Sequence, residues 1–114
     1  MNISYQEAID LLRKWQQQKC ILQVGLLDSV GNNAAAYGCI EELNSDSVRI
    51  DARSIAKKAR NIGLVIALKD AQFSFGDWPS TPPEYQGDYQ FRYESFLIVT
   101  FKNGSRCELY VTNL

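Results

Sequence analysis

The sequence predicts a small, mainly β domain with one N-terminal helix, and three observations predict it. Apolar residues recur at every second position through most of the chain, as a half-buried sheet requires. Short segments rich in Asn, Asp, Gly and Ser separate these runs at hairpin spacing. The first eighteen residues or so carry the clearest helical period, and 53–61 reads as a turn-rich or short helical excursion. At 114 residues the chain has the size of one domain, spanning 1–114, with enough length for a core that needs neither disulfides nor metal. Its 46% hydrophobic and 22% charged residues exclude wholesale disorder.

The helix is expected over about residues 5–18. Ser4-Tyr5-Gln6-Glu7 has the spacing of a capping box, with Ile3 and Ala8 at the staple positions. Tyr5, Ala8, Ile9, Leu11, Leu12 and Trp15 form an apolar stripe, and Asp10, Arg13, Lys14 and Gln17 take the other face. Trp15 is expected to be buried where this helix lies as a lid across the open end of a small barrel.

The stretch Cys20–Asp51 organises the rest. Strands are expected over about 20–27, 34–43 and 47–53, with Cys20, Leu22, Val24 and Leu26 on one side of the first, Ala36, Gly38 and Ile40 on the matching side of the second, and Val48, Ile50 and Ala52 on that of the third. The connections Asp28–Asn33 and Asn44-Ser45-Asp46 hold residues that bond their own backbone or tolerate positive φ. A fourth strand, about 62–75, puts Ile62, Leu64, Ile66 and Leu68 on one face; its phase then shifts to Ala71, Phe73 and Phe75. One extra residue near 69–70, a β-bulge, reconciles the two sets and bends the strand. Three prolines and a glycine make 77–90 a loop. Strands over about 91–101 and 106–112 flank Asn103-Gly104, a strong hairpin signal.

Helix, meander, bent strand and hairpin add up to five or six antiparallel strands. The helix Ser4–Gln18, the strand Cys20–Leu27, Gly38-Cys39-Ile40 and Val48-Arg49-Ile50 give the chain a layout that resembles the Sm-like and SH3-like small barrels. The resemblance implies that the bent sheet closes into such a barrel. The RNA site of Sm proteins uses an Asp/Asn pair after the second strand and an Arg-Gly pair before the last. Here those places read Asn44-Ser45-Asp46 and Lys102-Asn103-Gly104-Ser105-Arg106, so no site residue is carried over.

Histidine is absent, which removes the commonest general base and the commonest metal ligand. Asp28-Ser29 and Asp46-Ser47 are explained as turn residues, and Glu41-Glu42, adjacent on a strand, are expected to point to opposite faces. Cys20, Cys39 and Cys107 are odd in number and far apart in sequence, which fits neither a disulfide framework nor a zinc knuckle. No catalytic residue, cofactor or metal is therefore expected, and the chain is read as a non-enzyme. No run is long and apolar enough to cross a bilayer and no secretory signal precedes the helix, so the expected location is the cytoplasm, with no membrane partner.

Two surface features remain. Trp78, Tyr85 and Tyr89 stand in the proline-stiffened loop; they are expected either to serve a partner or to fold back as a second lid, with Trp78 near Phe75 and the two tyrosines nearer solvent. Arg49, Arg53, Lys57, Lys58 and Arg60 form a basic cluster. The favoured expectation is a non-catalytic module for protein interaction or self-association, with an unknown protein or a second copy as partner. The alternative is binding of RNA or single-stranded nucleic acid through the basic cluster, although a net charge of −1 supplies no global field for it.

Overall fold

The computed structural model describes residues 1–54, 61–77 and 93–112. Over these residues the protein is one helix on an eight-stranded antiparallel sheet. The elements are β1 (Asn2–Ile3), α1 (Tyr5–Gln17), β2 (Leu22–Leu27), β3 (Asn33–Leu43), β4 (Ser47–Ser54), β5 (Asn61–Ala67), β6 (Gln72–Asp77), β7 (Tyr93–Thr100) and β8 (Arg106–Thr112). The strands lie in the order β1-β6-β7-β8-β2-β3-β4-β5. The mainly β class and the single helix agree with the sequence. The strand count is eight rather than five or six, and the sheet is not closed: β1 and β5 are its two ends.

Both extra strands have a physical reason. β1 is two residues long, too short for any period; it pairs Asn2 with Ser74 and Ile3 with Phe73, and Met1 and Phe75 exchange backbone bonds of 3.0 and 2.9 Å. The expected strand 62–75 divides into β5 and β6. In place of a bulge at 69–70 the chain makes a turn in which Asp70 takes φ 62° and the Ala71 amide donates to the Leu68 carbonyl. Bulges occur elsewhere, at Glu41 in β3 and between Tyr93 and Phe96 in β7. A bulge leaves no trace in hydropathy when its neighbours are exposed, as at Glu41 and Glu42.

The turn at 68–71 bends the whole sheet. Six strand spacings of about 4.8 Å, roughly 29 Å, separate β5 from β6 in a flat sheet. Five residue steps from Ala67 to Gln72 span at most about 18 Å. The sheet must therefore curl until its two ends approach, and the dimensions of 36 × 34 × 33 Å fit a curled sheet. An even number of antiparallel steps also means that β5 and β6 run in the same sense. The turn is tied on one side by the Leu68 amide, which donates to the Asp46 carbonyl (2.8 Å), and on the other by Lys102, 4.0 Å from Asp70.

The concave face holds the core. Across it run the rows Phe73–Val99–Cys107–Leu26–Ala34, Phe75–Leu97–Leu109–Val24–Ala36 and Ile40–Ile50–Leu64. Leu22, Val24, Val48, Ile50, Leu97, Val99, Cys107 and Leu109 are fully buried. The helix covers this face with Ala8, Ile9, Leu12 and Trp15, all buried, and rests chiefly against β3 and β6. Its capping box is present: the Glu7 amide donates to Ser4 Oγ (3.1 Å) and the Ser4 amide to Glu7 Oε1 (3.0 Å). Tyr5 belongs to the apolar stripe but is 39% exposed; its ring meets Phe73 and its hydroxyl donates to the Ser45 carbonyl. Gln16 Nε2 donates to the Glu41 carbonyl (3.1 Å), which fixes the other end.

The helix stops in a Schellman motif. The Cys20 amide donates to the Trp15 carbonyl and the Lys19 amide to the Gln16 carbonyl, with Lys19 at φ 52°. Glycine is the usual residue there, and a side chain in this region costs about 1 kcal/mol. Lys19→Gly is accordingly expected to stabilise the protein by about 1 kcal/mol in urea unfolding; a loss would show that the Lys19 stem contributes packing. Trp15→Ala is expected to cost about 3–5 kcal/mol as a large core truncation. A cost below about 1 kcal/mol would mean that the helix is not integral to the core.

Candidate functional site

β5 ends the strand order. Its seven residues pair with β4 along their whole length and with no other strand among the described residues. Exposed edges are normally blunted by charge, proline, a bulge or brevity. β1 is brief. β5 reads Asn-Ile-Gly-Leu-Val-Ile-Ala, without charge or proline, and its register with β4 is unbroken. Gly and Asn apart, its residues are apolar, so the pattern that makes a good buried strand leaves this edge without a guard among the described residues.

The outer surface beside this edge is made by two cross-strand pairs, Arg49 opposite Val65 and Asp51 opposite Gly63. Val65 is 67% exposed. The Arg49 guanidinium leans over Gly63, where a Cβ would stand 3.3 Å from Nη2; the missing side chain makes room for it. Arg49 Nε also lies 3.5 Å from Glu41 Oε2, and Glu42 is the direct cross-strand partner of Arg49. The bulge at Glu41 thus suspends the alternation expected for Glu41-Glu42 and brings both acids beside one arginine. With both side chains half-exposed, the Arg49–Glu41 pair contributes at most about 1 kcal/mol.

A second feature is a shallow groove of about 360 Å³ between the β2–β3 and β7–β8 hairpins, lined by Leu26, Ala34, Phe101, Asp28 and Arg106 among others. Its charged groups are engaged locally. Asp28 accepts from the Val30 amide (3.0 Å), the Asn32 amide (2.8 Å) and Asn32 Nδ2 (2.9 Å), and the Asn32 side chain leads in holding its carboxyl below the ordinary value. Arg106 Nε pairs with Glu108 Oε1 at 3.1 Å. The Asp-Asn pattern of this hairpin is therefore turn chemistry, as its sequence predicts.

The residues singled out by the sequence fall in different places. Arg49 is exposed and paired with Glu41. The backbone of Arg53 lies in β4, opposite Tyr37 on one side and Asn61 on the other. Lys57, Lys58 and Arg60 lie outside the described residues, as do Trp78, Tyr85 and Tyr89. The structure thus brings Arg49 to the β5 edge and describes none of the aromatic loop. Sequence reasoning overlooked Gly63 and Val65. Half of the signal was present, an uncharged, proline-free run; that the run ends the sheet is decided by strand order.

The thiols differ sharply. Cys107 is fully buried on the concave face, and burial, with the nearby Glu108, pushes its thiol from 9.0 up to about 12. Cys20 is half-buried and raised as well, by burial first and then by Glu94 and Cys39. Among the described residues no three Cys, Asp or Glu side chains are grouped so as to hold a metal ion, and no helix is long and apolar enough to cross a membrane.

A thiol reagent at neutral pH is expected to modify Cys20 and Cys39 well before Cys107, which reacts only on unfolding; equal rates for all three would contradict the buried placement. Because the folded-state value of Cys107 is raised, the unfolded chain loses that proton first. Stability is expected to fall as pH rises from about 9 toward 12, and Cys107→Ala, though less stable from its cavity, removes that part of the slope. Compared with family models, curated proteins and solved structures, the chain matches none of them.

Proposed function

We propose that this protein is a non-catalytic interaction module that receives a strand of another polypeptide along β5. The observation that carries the reading is the seven-residue end of an otherwise well-formed sheet, which carries no charge or proline and has no cover among the described residues. An added strand satisfies the open backbone groups, and its alternate side chains meet the Arg49–Val65 and Asp51–Gly63 pairs on one face and the end of the core on the other. The curled sheet is in this reading an opened relative of the Sm-like and SH3-like small barrels. The same-sense strands β5 and β6, joined by one short turn, support it, since a single bent strand does that work in such barrels.

Capture of interacting proteins by immobilised wild-type chain, compared with Val65→Lys, tests the proposal. Lysine on an edge strand blocks pairing at little expense to the fold. A protein or an assembly held by the wild type and lost with Val65→Lys, together with slowed amide exchange in β5 on binding, is the expected result. A strict monomer that retains nothing, or retention indifferent to Val65→Lys, overturns the reading.

A further inference from the structure

We infer that the partner for which the β5 edge is built is a second copy of this chain, joined β5 to β5 about a two-fold axis through Leu64. This rests on the interaction-module reading above and names its partner.

The register follows from the strand itself. β5 spans Asn61–Ala67, and the one antiparallel self-pairing that uses all seven residues is centred on Leu64. It also keeps the concave faces of both copies on the same side, because a two-fold axis normal to the sheet pairs residues of like face only when it passes through a residue position. Leu64 and Ile66, half-buried and buried in one copy, then extend the concave face into the next.

Charge selects the same register over its neighbours. With the axis at Leu64, Val65 lies opposite the partner's Gly63. Each outer row across the joint then reads Arg49, Val65, the partner's Gly63, the partner's Asp51, so that Arg49 shares its row with an acid rather than with a second arginine. An axis at Val65 puts Arg49 and the partner's Arg49 in one row. An axis at Gly63 aligns Asp51 with the partner's Asp51 and brings together the two guanidinium groups that lean over the glycines. These charges stand on the two β4 strands, three strand spacings or about 14 Å apart, so their bias on the register is long-range and weakens with salt. Shape agrees with charge: the exposed Val65 meets a position without a side chain, where the partner's Arg49 supplies the aliphatic stem and flat guanidinium it can pack against.

A single pair of seven-residue strands is a small joint, at the weak end of specific interfaces, so association is expected only at high concentration. Sedimentation velocity on the whole chain, from the micromolar range to about 1 mM, is the experiment. A monomer–dimer equilibrium is expected, with the β5 amides exchanging more slowly as concentration rises. The register adds a sign. Val65→Lys faces the partner's Arg49 guanidinium and is expected to weaken the dimer about tenfold, whereas Val65→Glu faces the same group and is expected to stay within about threefold of wild type. Circular dichroism and melting of each variant separate loss of the joint from loss of the fold.

Equal weakening by both variants would mean that Val65 meets the partner's Val65, and it overturns the register. A dimer indifferent to both overturns the use of β5. A strict monomer at 1 mM that still retains another protein through Val65 overturns the second copy and leaves the interaction module standing. A strict monomer that retains nothing overturns both.

Discussion

The turn at residues 68–71 is the constraint on which the rest of the structure depends. It allows about 18 Å between strands that a flat sheet would hold about 29 Å apart, so the sheet curls and gains a concave side. Without that curl the stripe of Ala8, Ile9, Leu12 and Trp15 would have a flat surface to lie on, and the eight strands would have no common interior. The turn is held by weak means, one backbone bond to Asp46 and a long, exposed ion pair to Lys102, and it places Asp70 at positive φ. Its strength comes from its neighbours. Leu68, fully buried, anchors the entrance to the turn, and Phe73, 5% exposed, anchors the exit.

Curling draws the ends of the sheet together without joining them, and the two ends are treated differently. β6 is covered by β1, two residues held by backbone bonds at Met1 and by the helix that follows. β5 has no such cover among the described residues. The same apolar composition that lets β5 complete the core on its inner side leaves it without the charges or proline that usually guard an edge. The proposed function rests on this asymmetry. The groove between the hairpins, by contrast, follows from two turns meeting, where a Cβ at Gly104 would stand 3.6 Å from that of Ser29, and the charged groups of its lining are bonded within their own hairpins.

On the outer face the sheet accommodates bulk by omitting it. The Phe96 ring lies over Gly76, where any Cβ would overlap it, and packs against Tyr110 at 5.7 Å between ring centres. Arg49 lies over Gly63 in the same manner. In both cases glycine in a strand marks the close approach of a cross-strand or diagonal side chain rather than a break in the ladder. The two glycines stand on opposite halves of the curled sheet, one under an aromatic ring and one under the guanidinium beside the open edge.

By itself the sequence determined what is local. The capping box at Ser4, the stripe through Trp15, the Asx turn at Asp28, the Asn-Gly hairpin and the alternation along β2 and β8 are decided by neighbours within a few residues and are present as expected, whereas the alternation along β3 and β7 is interrupted by a bulge in each. Tertiary structure alone decided the rest. The pairing of β1 with β6 joins residues some seventy apart and has no periodic signature. The bulge at Glu41 is set by how β3 must bend against β4, and it brings together acids that simple alternation separates. The division of 62–75 into two strands reflects the curl, which sends β5 to one end of the sheet and β6 to the other. The open edge at β5 is likewise absent from any window of sequence, because being last in a sheet is a property of strand order, and strand order is fixed by contacts far apart in the chain.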